Sequence, residues 1–208
     1  MDTFTQLVVS EGELREILGS PGPRAVMKER TTLDGHCRAF IALSPFVLVA
    51  TSDKDGRCDV SPKGDAPGFV QVLDERRLVI PDRPGNRRLD GMRNLLTNPR
   101  IGLIFLVPGR QETLRVNGRA CITRDPALLE LCVAQDKTPA LAIGVEVEEC
   151  FMHCAKAFLR SRMWAADTWP AADALASLGC VLHDQIKPAG MTAQDYERDL
   201  NEGYKKLY

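Results

Sequence analysis

Short segments of strand-like pattern dominate the middle of this chain. Residues 46–52 form an apolar run with the length of a buried strand. The next four residues, Asp53-Lys54-Asp55-Gly56, predict a tight turn in which Gly56 takes a positive φ. The same criteria predict five further strands, over residues 57–62, 68–73, 77–80, 100–107 and 113–122.

One helix is predicted within this series of strands. Apolar residues recur there at helical spacing, at Leu89, Met92, Leu95 and Leu96. The pair Asn98-Pro99 is a typical stop signal, so we expect a helix from residue 86 to residue 98 with Asn86 as its N-cap. Six short strands around one helix predict a small β-barrel.

Two arginines, Arg87 and Arg88, stand at the predicted start of this helix. Free backbone N–H groups at a helix start favour an anion, and a guanidinium group can donate two hydrogen bonds to phosphate oxygens. The pattern therefore indicates a phosphate site. The alternative is a solvated helix start with two exposed arginines, because most runs of charge face water.

Helices are also predicted outside the strand region. Ser10 and Glu13 have the spacing of a capping box, so we expect a short N-terminal helix that packs beside the barrel through Leu14, Ile17 and Leu18. Residues 125–133 predict another helix, capped by Asp125 with Pro126 in its first turn. Strand character returns over residues 140–147, and three helices are predicted after residue 149, over 154–164, 170–182 and 192–206. The last begins with a capping box, Thr192 to Asp195.

Length and composition favour one compact unit. A chain of 208 residues with 44% hydrophobic content can bury one good core, so we expect a single domain over 1–208. Its barrel core should span about 40–150 and its helical C-terminal extension about 151–208. The seven cysteines are odd in number and lack the spacing of a disulfide framework, which favours reduced thiols.

Charge and hydropathy exclude two classes of partner. The 27 basic and 28 acidic residues give a net charge of -1 without a long basic run, so no nucleic-acid surface is expected. No uncharged apolar run reaches the ~18 residues of a membrane span, so no membrane partner is expected. Met1 is followed by polar and acidic residues rather than a leader pattern, which favours a cytoplasmic protein.

Several short motifs mark successive turns and strand ends. They are residues 60–65 (Val-Ser-Pro-Lys-Gly-Asp), 80–82 (Ile-Pro-Asp), 86–88 (Asn-Arg-Arg), 98–100 (Asn-Pro-Arg) and 113–118 (Thr-Leu-Arg-Val-Asn-Gly). In these motifs, and over roughly residues 40 to 160, the chain resembles the pyridoxamine 5'-phosphate oxidase-like flavoproteins. The resemblance implies a mainly β fold: an antiparallel, Greek-key-like, FMN-binding split β-barrel with N-terminal and C-terminal helices.

The resemblance also implies an FMN site at the interface of a homodimer. The residues implied along the flavin ring are Ser61, Pro62, Lys63 and Gly64. Those implied along the ribityl chain and ring are Ile80, Pro81 and Asp82, and those implied at the phosphate are Asn86, Arg87 and Arg88. The strand segment that resembles the partner's contribution is Thr113, Leu114 and Arg115, although the assignment of contacts to subunits stays open. Trp164 would either cover the isoalloxazine ring or fill core.

The chain departs from the vitamin B6 oxidase itself. In that enzyme the strand matching residues 60–65 begins with an arginine and ends with a lysine that meet the flavin, whereas Ser61 stands near the first position here and no lysine clearly fills the second. The oxidase's C-terminal substrate-binding pattern is not evident either. Residues 65–69, 83–86 and 153–164 are instead similar to an uncharacterised subgroup, so the resemblance implies FMN more strongly than oxidation of a B6 vitamer.

Three functions remain open from the sequence. The first is an FMN-dependent oxidoreductase that transfers electrons between a donor and a small-molecule substrate, with catalytic residues unassigned and Lys63 and Arg115 as candidates to stabilise negative charge on the ring. The second is a non-catalytic protein that holds FMN, another flavin or a haem-like ligand for storage or sensing.

The third is a zinc-stabilised interaction protein, suggested by the spacing of Cys150, His153 and Cys154 and by the later pair Cys180 and His183. Helical spacing could put the first three on one side of a helix start. Three adjacent ligands rarely all point inward, however, and no Cys-x-x-Cys pair exists. Ordinary packing of small apolar cysteines is favoured, and no metal site is expected.

Overall fold

The computed structural model describes residues 3–208. Its centre is one antiparallel sheet of seven strands in the spatial order β2-β1-β5-β6-β7-β4-β3, and this sheet is not closed. The strands are β1 (Phe46–Ser52), β2 (Cys58–Gly64), β3 (Gln71–Val72), β4 (Arg77–Pro81), β5 (Arg100–Leu106), β6 (Thr113–Thr123) and β7 (Ala142–His153). The mainly β, split-barrel fold implied by the resemblance is confirmed.

Eight helices accompany the sheet within the described residues. They are α1 (Glu11–Leu18), α2 (Pro23–Met27), α3 (Gly35–Leu43), α4 (Asp90–Leu95), α5 (Pro126–Glu130), α6 (Lys156–Ser161), α7 (Leu178–Ile186) and α8 (Ala193–Tyr204), with a 3-10 turn at Ala166–Thr168. None of the helices in residues 3–208 combines the length and the apolar character that a membrane crossing requires.

Several local signals act as the sequence predicted. Gly56 takes a φ of 81° in the β1–β2 turn. The Asp125 side chain accepts a hydrogen bond from the Ala127 amide at the start of α5. At α8, Thr192 and Asp195 form the complete capping box. These three predictions are confirmed. Each could be made from the sequence because it depends on residues only two to four positions apart.

The core lies between the sheet and α3. Strand β1 alternates strictly, so that Val47, Val49 and Thr51 are buried while their neighbours are more exposed. The same alternation in β5 buries Ile101, Leu103 and Phe105. Helix α3 adds Cys37 and Ile41 to this cluster, and its first turn is fixed by the Asp34 carboxylate, which accepts from the Cys37 amide at 2.8 Å.

A β-bulge at Glu148 of β7, opposite Asn117 and Gly118, allows β6 to follow β7 over its whole length. The register between the two strands shifts between Asn117 and Gly118. A Cβ atom at Gly118 would overlap the Glu146 carbonyl oxygen, far inside any van der Waals contact. Only glycine fits this position without a shift of the backbone of β7.

The predicted start of the central helix is wrong. Helix α4 begins at Asp90 and not near residue 86, and its N-cap Leu89 is left-handed (φ 61°) with no side-chain cap. Asn86 instead accepts a hydrogen bond from the Arg88 amide at 3.1 Å, which closes a tight turn in the preceding loop. The Asn86 side chain thus takes the Arg88 amide into a turn, and the helix begins only after this turn.

The prediction that the N-terminal helix packs beside the barrel is also wrong. Ser10 caps α1 as expected, accepting from the Glu13 amide at 3.2 Å. No residue of α1 is buried, however, and Ile17 and Leu18 are 63% and 78% exposed. Capping fixes where a helix begins, whereas its docking depends on whether a distant apolar surface is free.

The region after residue 149 differs most from the prediction. Strand β7 continues to His153, and α6 covers only Lys156–Ser161 of the predicted helix 154–164. The predicted helix 170–182 is shifted to Leu178–Ile186, and the predicted strand 68–73 keeps only Gln71–Val72. Pairing with β6, which sets Cys150 opposite Val116, extends β7 beyond the predicted strand 140–147.

Candidate functional site

A cleft of about 870 Å3 opens between β2, the end of β4 and the loop that leads into α4. Within the described part of the chain, five basic and three acidic residues line it, so its wall carries a net positive charge. The basic residues are Lys63, Arg83, Arg87, Arg88 and Lys137, and the acidic ones are Asp59, Asp82 and Asp90. Such a wall favours an anionic ligand.

Strand β2 supplies one side of the cleft. Because residues alternate along a strand, Asp59, Ser61 and Lys63 share the face that carries Thr51, Val49 and Val47 on the neighbouring β1. The Ser61 hydroxyl donates to Asp59 Oδ2 at 2.7 Å, and Lys63 Nζ lies 3.3 Å from Asp82 Oδ1 at the end of β4. The pair Lys63–Asp82 therefore joins two strands that are far apart in the sheet order.

The loop before α4 supplies the two arginines. Arg88 Nε donates to Asp90 Oδ2 at 2.7 Å, and this contact raises the pKa of the guanidinium above its ordinary value. Arg87 lies in the left-handed region (φ 59°) and has no carboxylate partner among residues 3–208. A non-glycine residue in this conformation costs on the order of 1 kcal/mol, which is common at ligand sites. Arg87 is thus free to bind an anion, whereas Arg88 is partly neutralised.

The short helix changes the basis of the phosphate prediction. Helix α4 has six residues and starts after both arginines. The loop therefore offers an anion two guanidinium groups, rather than a helix N-terminus with arginines beside it. The residues named in the prediction are unchanged, but the attraction comes from side-chain charge.

A buried ion pair holds Arg83, one of the lining residues of the cleft. Arg83 Nε donates to Asp65 Oδ2 at 2.5 Å, and their side chains are only 15% and 3% exposed. Tyr208 also donates its phenol hydrogen to Asp65. Burial by itself raises the pKa of Asp65, but hydrogen bonds from Tyr208, the Ala66 amide and Arg83 outweigh it and hold the pKa below its ordinary value. Asp65 is accordingly charged at neutral pH.

We expect Asp65→Ala to destabilise the fold by about 3 kcal/mol, because it leaves the Arg83 guanidinium buried without its counter-ion. Asp74→Ala is the matched control, since Asp74 pairs with Arg77 at 2.6 Å on the surface, where their side chains are 36% and 66% exposed. That change should cost much less, because an exposed ion pair is screened by water. Urea unfolding of both variants measures the difference, and equal losses would contradict the buried pair.

The other residues implied by the resemblance do not reach this cleft within one chain. Ile80 lies in the core with no exposed surface, and Thr113 and Leu114 are buried in β6. Arg115 pairs with Glu149 at 2.6 Å, and its guanidinium carbon lies 4.2 Å from the centre of the Phe151 ring. Those that do line the cleft are Ser61, Pro62, Lys63, Gly64, Pro81, Asp82, Asn86, Arg87 and Arg88.

Trp164 lies elsewhere. Its ring stacks on Phe158 with centroids 5.6 Å apart, and its indole N–H donates to the Arg110 carbonyl oxygen at 2.6 Å. Within one chain it is a packing residue of the segment around α6.

The sequence prediction missed several polar lining residues, among them Asp59, Arg83, Lys137 and Tyr208. The strand period could have found Asp59, which alternates with Ser61 and Lys63. Arg83 lies in the segment 83–86 that carries part of the family resemblance, but the prediction did not assign it to the site. Lys137 and Tyr208 are distant in sequence from the motifs, and no local pattern points to them.

The zinc alternative finds no support in the geometry. Cys150 and His153 lie an odd number of residues apart on β7, so they project from opposite faces of the sheet. Cys150 is buried, and its thiol donates to the Thr32 carbonyl oxygen at 3.2 Å. Among residues 3–208, no group of three or more His, Cys, Asp or Glu side chains is arranged to hold a metal ion.

Comparison with protein families identifies the relatives of this chain. Residues 33–154, more than half of the sequence, match the family model described as pyridoxamine 5'-phosphate oxidase. The chain belongs to this family. The matched range contains the whole sheet and every cleft-lining residue except Tyr208.

Solved structures of related shape have low sequence identity. HupZ of Group A Streptococcus is 19% identical with a TM-score of 0.47, and the alignment covers 57% of this chain and 92% of that one. A candidate pyridoxamine 5'-phosphate oxidase from Lactobacillus delbrueckii is 23% identical (TM-score 0.47; 60% and 99% covered). HutZ, the heme storage protein from Vibrio cholerae, is 16% identical (TM-score 0.40; 58% and 93% covered). No curated protein matches the chain.

Proposed function

We propose that this member of the pyridoxamine 5'-phosphate oxidase family binds FMN in the cleft beside β2. One observation carries the proposal. Three segments that the sequence resemblance implied in FMN contact, namely 61–64, 81–82 and 86–88, converge on one cleft although they are separated along the chain. Family membership supports a flavin as the ligand.

The residues present fit a molecule with an anionic end and a flat apolar end. At the loop end, Arg87 has a free guanidinium group and Arg88 lies beside it. Apolar side chains line other parts of the wall, among them Val49, Phe69 and Ile143. The cleft volume lies within the range of about 300–1,000 Å3 that is usual for small-molecule sites. FMN has both features, a phosphate monoester and an isoalloxazine ring.

We further propose that the functional unit is a homodimer whose second copy completes the site. Within one chain, Thr113, Leu114, Arg115 and Trp164 lie outside the cleft. The resemblance brings this strand segment to the ligand from a second copy.

An oxidoreductase activity follows from the same proposal. FMN, when bound, supplies the electron-transfer chemistry. The chain holds and shields it: Arg87 and Arg88 bind the phosphate, and β2 lines the ring. Lys63, held by Asp82 at 3.3 Å, keeps a cationic donor in the wall, and we propose that it stabilises negative charge on the ring, with Arg115 of the second copy as the other candidate.

Ligand titration tests the binding proposal. Ligand-free protein is mixed with FMN, riboflavin or haemin, and binding is followed by the change in flavin fluorescence or haem absorbance. We expect one FMN per chain, bound about a hundredfold more tightly than riboflavin because of the phosphate contacts. Preference for haemin, or failure to bind FMN, would overturn the proposal.

Anaerobic reduction distinguishes an enzyme from a storage or sensing protein. The FMN complex is mixed with NADH or NADPH, and loss of the oxidised-flavin absorbance is followed. We expect bleaching well above the rate for free FMN. Rates equal to that of free FMN with several donors would favour a non-catalytic flavin-binding protein.

A further inference from the structure

The C-terminal helices are joined to the rest of the protein at their far end. Helices α7 and α8 pack on each other, and the Gly179 amide donates to Glu197 Oε2 at 3.1 Å. Within the described chain, the hydrogen bonds between residues 170–208 and the remainder are both made by Tyr208. Its phenol donates to Asp65, and its carbonyl oxygen accepts from Lys137 Nζ at 2.7 Å.

Tyr208 reaches the wall of the candidate FMN cleft. Its side chain belongs to the lining, together with Arg83 and Lys137. The Arg83 guanidinium carbon lies 5.5 Å from the centre of the Tyr208 ring, in the geometry of a cation–π contact. The acceptor Asp65 is itself buried, because its side chain is only 3% exposed. The tail is therefore fixed on a rigid, buried ion pair, while α8 has no buried residue.

We propose that residues 193–208 form a strap whose Tyr208 end closes one part of the cofactor cleft, latched on Asp65 and Lys137, and that the latch must open for the ligand to enter or leave. This inference rests on the proposed FMN site and adds a control of ligand exchange to it. A segment with few buried contacts and two anchoring hydrogen bonds opens far more readily than the barrel does.

The latch has a kinetic signature that a simple contact lacks. If the ligand passes only through the open state, a weaker latch raises the open population. The rate constants for binding and release then rise together, and the dissociation constant changes little. A residue that merely touches the ligand would instead change release and affinity together.

The test compares Tyr208→Phe and Tyr208→Ala with Tyr204→Phe as the matched control. Tyr204 is an exposed tyrosine at the end of α8, 57% exposed and outside the cleft lining. Stopped-flow fluorescence measures FMN binding and release. We expect Tyr208→Phe, which keeps the aromatic ring in the cleft wall, to accelerate both about tenfold, the effect of one lost charge-assisted hydrogen bond. Tyr208→Ala should accelerate them at least as much.

Hydrogen exchange in the ligand-free protein gives a second readout. Residues 193–208 should exchange faster in both Tyr208 variants and at the wild-type rate in Tyr204→Phe, while the strands stay protected. Wild-type exchange and wild-type FMN rates in the Tyr208 variants would overturn the strap. Failure of the wild-type protein to bind FMN would overturn the proposed cofactor instead, and the exchange data would still decide whether the latch exists.

Discussion

The Arg87→Ala/Arg88→Ala variant is expected to bind FMN about a hundredfold more weakly than the wild-type protein, while riboflavin affinity changes less than about threefold. A charge-assisted hydrogen bond contributes about 1.5–3 kcal/mol, and tenfold in affinity corresponds to about 1.4 kcal/mol. Both arginines are exposed, so screening by water and salt places the effect near the lower end of this range. Riboflavin lacks the phosphate and should not detect the change.

The single variants sharpen this prediction. Arg88 already donates to Asp90 at 2.7 Å, whereas Arg87 has no carboxylate partner among residues 3–208. Arg87→Ala should therefore weaken FMN binding more than Arg88→Ala. Fluorescence titration at low and high salt measures all the variants, and Arg24→Ala/Arg38→Ala, which removes two exposed charges outside the cleft, is the matched control. An unchanged FMN affinity in the double variant would refute the phosphate assignment.

Gly118→Ala is expected to lower the free energy of unfolding by more than about 3 kcal/mol, the largest stability effect we predict. Its new Cβ would overlap the Glu146 carbonyl oxygen, and this obstacle is backbone rather than the end of a flexible side chain. Relief requires β6 and β7 to separate at the bulge, where the register changes. Those two strands form the most extensive pairing in the sheet.

Gly144→Ala is the control for this change. Gly144 lies on β7 as well, but its added Cβ would meet Cys121 Sγ at 3.4 Å, an ordinary contact. We expect the stability of this variant to stay within about 1 kcal/mol of wild type. Urea denaturation followed by circular dichroism compares the midpoints of the two variants. A Gly118→Ala protein with a wild-type midpoint would show that the bulge tolerates a side chain.

The arginine loop and Gly118 are connected through the pairing of the strands. The bulge keeps β6 paired with β7, and β7 in turn pairs with β4, whose last residue Pro81 leads into the cleft. Thus a backbone requirement at Gly118 helps to position Asp82 and the arginine loop that follows it. A loss of FMN binding in Gly118→Ala would therefore follow from its lower stability.

The sequence by itself determined the local features of this protein. Most of the strand ranges, the Gly56 turn, the capping residues of α5 and α8, and the motifs that carry the family resemblance depend on neighbours a few positions apart. Alternation along β2 also put Ser61 and Lys63 on one face. Local backbone preference and side-chain periodicity are properties of short segments, and they survive in the folded protein where nothing distant competes.

Only the tertiary structure decided what depends on distant partners. It extended β7 to His153, beyond the predicted strand 140–147, by pairing β7 with β6, and it left the apolar face of α1 without a buried contact in this chain. It also brought Tyr208 to Asp65, 143 positions away. Burial and electrostatics act through space, so the part of the cleft wall formed by Lys137 and Tyr208 exists only once the chain has folded.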